Sequence, residues 1–106
     1  MAQEGEFRIA PPELRDFCTR VFIALGVPEE DAHITGEVLV SADLRGVDSH
    51  GVARLKRYVD GIRTGMMRVD ASPRVVHETP TTATIDADGG LGQPPSYRAM
   101  QMAIAK

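Results

Sequence analysis

The hydrophobic period of this chain changes partway along it, and no single class of secondary structure accommodates both parts. Leu14, Phe17, Cys18, Val21, Phe22 and Leu25 recur at three- and four-residue spacing. That is one buried helical face, expected over residues 12–25, and Gly26 supplies its stop. A second helix is expected from Pro28, because proline is tolerated in a first turn and Glu29, Glu30 and Asp31 complement the positive end of the helix dipole. Its inner stripe reads Ala32, Thr35, Val38, Leu39 and Ala42, and Gly46 ends it. Asp48 then offers a side-chain oxygen to cap a third helix.

Beyond Gly65 the pattern becomes extended. Val75 and Val76, followed by Thr82, Thr84 and Ile85, are two β-prone runs that pair as a hairpin around Pro80. Gly89, Gly90, Gly92, Pro94 and Pro95 mark a loop, and helical spacing returns through Tyr97, Met100, Ala103 and Ile104. The expected fold class is α+β: a three-helix N-terminal segment, a β-hairpin and the start of a further helix. Residues 1–8 read as a disordered start, 9–70 as the helical segment, and 71–106 as the first strands and helix of a larger domain.

A chain of 106 residues sets one domain as the ceiling, with little interior to spare for a cofactor and a substrate. The closing helix has no cap or polar tail, which predicts a piece of a longer protein. A net charge of -3 argues against bulk attraction to nucleic acid or anionic lipid. The single Cys18 forms no internal disulfide, and no leader or long apolar run supports export or membrane insertion, so the cytoplasm is expected. His33, His50 and His77 are widely separated, with no HxxxH or CxxC pair, so no metal site is expected.

On a helical wheel His50 at zero puts Arg54 near 40° and Tyr58 near 80°, while Val52, Leu55, Val59 and Ile62 cluster between about 120° and 200°. One face packs inward; the other presents an imidazole, a guanidinium and a phenol in a row. Arginine is a planar donor matched to a carboxylate, and histidine exchanges its proton most easily near neutral pH. A small 2-hydroxy or 2-oxo acid needs both, a clamp for its carboxylate and a proton partner for its oxygen. Ser49 is placed to orient the imidazole, and Gly51 to leave room for a ligand. By spacing alone, a solvated histidine and a surface arginine account for the same residues. Gly89-Gly-Leu-Gly92 departs from GxGxxG and reads as a strand-to-helix turn.

The run Ala42-Asp-Leu-Arg-Gly-Val-Asp-Ser-His-Gly-Val-Ala-Arg-Leu-Lys-Arg-Tyr58 resembles the signature of the malate/L-lactate dehydrogenase family, which includes sulfolactate, ureidoglycolate and piperideine-carboxylate oxidoreductases. Leu25-Gly-Val-Pro-Glu-Glu-Asp-Ala32, Glu78-Thr-Pro80, Ile85-Asp86 and Gly90-Leu-Gly-Gln93 are similar to the same family in the same order. The resemblance implies part of a larger non-Rossmann fold and hydride transfer between NAD or NADP and a small carboxylate substrate such as malate or lactate. It assigns proton transfer to Ser49 and His50, substrate binding to Arg54 and Tyr58, and a homodimer as the full-length state; charge and the lack of a long apolar run leave neither nucleic acid nor a membrane as an expected partner. Most cofactor contacts, a further histidine and an acidic partner would lie beyond Lys106, so the chain alone is expected to be inactive. Two alternatives remain open. Three helices and a hairpin also describe a winged-helix DNA-binding domain, with Arg54, Lys56, Arg57 and Arg63 on its recognition helix, and the chain also reads as a structural or dimerisation fragment.

Overall fold

The computed structural model describes residues 7–106. In chain order these form α1 (Pro11–Ala24), α2 (Glu29–Leu44), α3 (Leu55–Arg63), β1 (Arg74–Glu78), β2 (Ala83–Asp86) and α4 (Gln93–Ala105). The order is the α+β arrangement expected from the change of period. Six of the eight residues expected to form a disordered start lie outside the described residues; Phe7, Arg8, Ile9 and Ala10 have no regular structure.

Pro11 and Pro12 open α1, where missing N–H groups leave nothing unpaired, and Gly26 turns the chain out of it at φ +97. α1 and α2 pack closely because of Gly36. A Cβ at that position would meet Thr19 Oγ1 at 3.0 Å and the Arg15 carbonyl at 3.3 Å. The buried stripe of α2 is therefore Ala32, Thr35, Gly36, Leu39 and Val40. This corrects the expected stripe: Val38 is exposed and Ala42 half-buried, because α2 meets its neighbour through its smallest residue. Thr35 is fully buried yet satisfied, its hydroxyl donating to the Asp31 carbonyl at 2.7 Å.

Phe22, Val27, Ala32, Leu39 and Leu91 form the core, with Val52, Leu55, Tyr58, Ile62, Met67 and Val69 packed around it. Burying a side chain the size of Phe22 or Leu39 contributes roughly 1.5–3 kcal/mol. Leu91 brings the glycine-rich loop into this core. The loop is fastened by Arg68, whose backbone N–H donates to the Gly89 carbonyl at 2.9 Å and whose guanidinium meets Asp88 at 3.2 Å.

The hairpin pairs Val75 with Ile85 and His77 with Thr84, so Val76 is an extra residue in β1. All five residues of β1 are exposed. The radius of gyration is 15.5 Å, against about 13 Å for a close-packed domain of this length. The hairpin and α4 thus leave much apolar surface uncovered. α4 starts earlier than expected: Pro94 and Pro95 lie in its first turn, buried, where their missing N–H groups are tolerated. Arg98 anchors α4 to Asp31 of α2 at 2.5 Å, and Lys106 reaches Glu78 at 2.9 Å. Among the described residues no helix is long and apolar enough to cross a membrane, and no cluster of ligating side chains could hold a metal ion.

Candidate active site

The segment between α2 and α3 departs most from the sequence expectation. After α2 the chain turns at Gly46, φ +76, and then makes two short 3-10 turns, Asp48–His50 and Val52–Arg54. Gly51 separates them in an extended conformation, φ -95 and ψ -148. Asp48 makes no capping hydrogen bond, and the expected helix starting there is replaced by these turns up to Leu55. His50 is consequently out of helical register with Arg54 and Tyr58, and the row drawn on the wheel does not form.

Hydrogen bonds assemble part of the same group in another way. Ser49 Oγ lies 2.9 Å from His50 Nδ1. With the serine hydroxyl donating, the imidazole carries its proton on Nε2. Arg54 Nε donates to the Ser49 carbonyl at 2.6 Å. That bond uses the inner nitrogen of the guanidinium and leaves the two terminal amino groups side by side, the fork that pairs with a carboxylate. Ser49 and His50 are exposed and Arg54 half-buried, and the two hydrogen bonds join the three into one turn.

Tyr58 is held elsewhere. Its ring packs on Phe22 at a centroid distance of 6.3 Å, and its hydroxyl accepts a hydrogen bond from Gln93 Nε2 at 3.0 Å. With Val38, Gly92 and Ser96 this pair lines an open groove of about 360 Å³. The buried Gln93 Oε1 has no partner among the described residues. A larger groove of about 740 Å³ lies between α2 and α4, but Glu29, Glu30 and Glu37 line it and would repel a carboxylate.

Asp43 is the residue that sequence reasoning missed. Its Oδ2 accepts the Val52 N–H at 3.0 Å. A Cβ on Gly51 would overlap this carboxylate, all three of whose atoms lie within 2.6 Å of the position. The room at Gly51 is thus taken by Asp43, which corrects the expectation that a ligand uses it. A signal was present in the sequence: an acid in the last turn of a helix opposes the helix dipole and calls for another reason to be there. Burial, and secondarily the Asp43 charge, push the Cys18 thiol above its ordinary pKa, so Cys18 is a neutral core residue.

The amino end of α4 offers few N–H groups to a dinucleotide phosphate. Among the first three residues of α4 only Gln93 has an N–H, and the Ser96 N–H is bound to the Gly92 carbonyl at 3.1 Å. Gly90 is small for packing, since a Cβ there would lie 2.6 Å from Ala71 Cβ. The loop is a strand-to-helix turn, as its spacing indicates.

The same fold occurs in solved oxidoreductases. The structure of malate dehydrogenase from Pyrococcus horikoshii superposes with a TM-score of 0.93 at 51% identity, over 99% of this chain and 30% of that one. Delta1-piperideine-2-carboxylate reductase from Pseudomonas syringae superposes at 0.84 with 28% identity, over 94% and 30%. Fold and turn together define an α+β segment of dehydrogenase type without a parallel nucleotide-binding unit among its described residues. The model of the malate/L-lactate dehydrogenase family matches residues 9–106, and the chain belongs to that family. In sequence it is 53% identical to malate dehydrogenase of Pyrococcus horikoshii over 103 residues, 97% of this chain and 29% of that protein. It is 40% identical to L-sulfolactate dehydrogenase of Methanothermobacter thermautotrophicus over 99 residues, 93% of this chain and 29% of that protein. The chain thus spans about three tenths of the length of these relatives.

Proposed function

We propose that this chain is the amino-terminal part of an oxidoreductase that moves hydride between NAD or NADP and a small 2-hydroxy or 2-oxo acid such as malate or lactate. The observation that supports it best is the Ser49-His50-Arg54 turn, in which Ser49 bonds both a proton-exchanging ring and a guanidinium whose outer fork has no carboxylate partner among the described residues. In this reading Arg54 binds the substrate carboxylate and Ser49 orients His50. The imidazole gives a proton to the 2-oxo oxygen on reduction and removes it from the 2-hydroxyl on oxidation. Tyr58 lines the substrate side, fixed by Gln93. The glycine loop is not read as a phosphate cradle, most cofactor contacts fall to residues beyond Lys106, and the chain alone is expected to be inactive. The same reading gives a cytoplasmic homodimer with a small carboxylate as its ligand and neither nucleic acid nor a membrane as partner. The winged-helix alternative gains no support from the relatives named above.

The test is turnover of L-malate by the full-length enzyme with NAD or NADP, followed by nicotinamide absorbance. Replacing a positioned proton-transfer group costs on the order of 10²–10⁴-fold in rate, and His50→Ala should lose that much. Turnover near that of the unmodified enzyme would remove His50 from the mechanism.

A further inference from the structure

We infer that Asp43 is a positioning residue for the Ser49-His50-Arg54 turn, its carboxylate fixing the Gly51-Val52 backbone on which His50 and Arg54 are mounted. The purpose of the turn rests on the functional reading above; the clamp rests on geometry alone. Two independent observations carry it. The first is the hydrogen bond from the Val52 N–H to Asp43 Oδ2 at 3.0 Å. This amide opens the segment leading into α3, where N–H groups have no helical partner of their own. The second is the space at Gly51. Its φ of -95 is not the left-handed region that calls for glycine; a Cβ there would overlap the Asp43 carboxylate, and that overlap calls for it.

Asp43 stands at the carboxyl end of α2, whose Leu39 and Val40 are buried in the body of the molecule. The clamp therefore refers the turn, whose Ser49 and His50 are exposed, to a helix packed into the core. His50 lies one residue before the clamped pair and Arg54 two residues after it. A change at the clamp alters the separation between the proton-transfer ring and the carboxylate fork. The side-chain tie that spans Gly51 from within the turns is Arg54 Nε to the Ser49 carbonyl, and it constrains Arg54 only relative to Ser49.

The test compares Asp43→Asn, which keeps an oxygen acceptor of the same shape, with Asp43→Ala, Gly51→Ala and the double variant. Amide exchange of Val52 is read by NMR in the 106-residue chain, and kcat/KM with L-malate as the probe in the full-length enzyme. Asp43→Ala should speed Val52 exchange at least tenfold, leave Leu39 and Val40 within twofold, and lower kcat/KM at least tenfold. Asp43→Asn should stay within threefold on both measures. Gly51→Ala alone should match Asp43→Ala, and should add less than threefold in the Asp43→Ala background, where the obstructing carboxylate has gone. Unchanged Val52 exchange in Asp43→Ala would overturn the clamp. Equal acceleration at Leu39 and Val40, a failure of asparagine to rescue, or an unchanged kcat/KM would each overturn the positioning role. Undiminished turnover in His50→Ala is a separate result, and it sinks the functional reading rather than the clamp.

Discussion

Tyr58 and Gln93, 35 positions apart in sequence, are joined by a hydrogen bond of 3.0 Å from the glutamine amide to the tyrosine hydroxyl, which ties α3 to the first turn of α4. Tyr58→Phe would keep the ring against Phe22 and take the acceptor away from Nε2. Since Gln93 Oε1 already lacks a partner among the described residues, both ends of the amide would then be unpaired. The part-buried hydrogen bond removed contributes about 0.5–1.5 kcal/mol. Urea unfolding of the chain should show the loss as a lower midpoint at unchanged slope, and coincident curves would contradict it.

Arg54 uses its Nε on the Ser49 carbonyl and keeps its outer fork free of carboxylate partners among the described residues. A lysine supplies neither the planar fork nor the inner donor. In the full-length enzyme Arg54→Lys should raise KM for the hydroxy acid by about tenfold or more, the scale of one lost hydrogen bond to a charged group, with a smaller effect on kcat. A KM within twofold of the original would mean that the carboxylate is bound elsewhere.

Gly36→Val places two methyl groups where a single Cβ already meets Thr19 Oγ1 at 3.0 Å and the Arg15 carbonyl at 3.3 Å. Overpacking of this kind costs about 1–3 kcal/mol. The melting temperature should fall, with the α1-α2 contact opening first in amide exchange. A variant as stable as the parent would show that the two helices can separate freely.

Cys18 has its thiol pKa raised, first by burial and then by the Asp43 charge. The folded chain therefore holds this proton to higher pH than the unfolded chain, whose thiol titrates near the ordinary value of 9.0. The stability that follows is fully present below that value and is lost as pH rises from it through the folded-state pKa. Cys18→Ala should be less stable at neutral pH, because it leaves a cavity, but should lose less stability between neutral and strongly alkaline pH. Equal losses in the two proteins over that range would refute the assignment.

The helices and the hairpin were legible because their signals are local. Leu14, Cys18, Phe22 and Leu25 repeat with the helix, and Val75 and Ile85 sit in runs that leave little but a strand. The family was legible too, because Asp-Ser-His-Gly-Val-Ala-Arg is a contiguous run. What the sequence hid is what depends on distant contacts. The wheel assumed unbroken helix through Gly51, and the break there accompanies a carboxylate eight residues earlier, at Asp43. The stripe of α2 was misread at Val38 because hydrophobicity, which ranks valine above glycine, does not record where a neighbouring helix crosses. Gln93 was noted only through the family resemblance, and nothing in the spacing announced its bond to Tyr58.

The extra residue in β1 has a consequence for how this chain behaves when concentrated. A two-stranded ribbon exposed along one strand is a template on which further strands can stack into a growing cross-β ladder. Val75 and Val76 are the kind of residue that feeds such growth. The offset at Val76 interrupts the regular alternation of donors and acceptors and increases the local twist, so an incoming strand loses its register after a few residues. One inserted valine thereby makes the exposed edge of β1 a poorer template for a further strand.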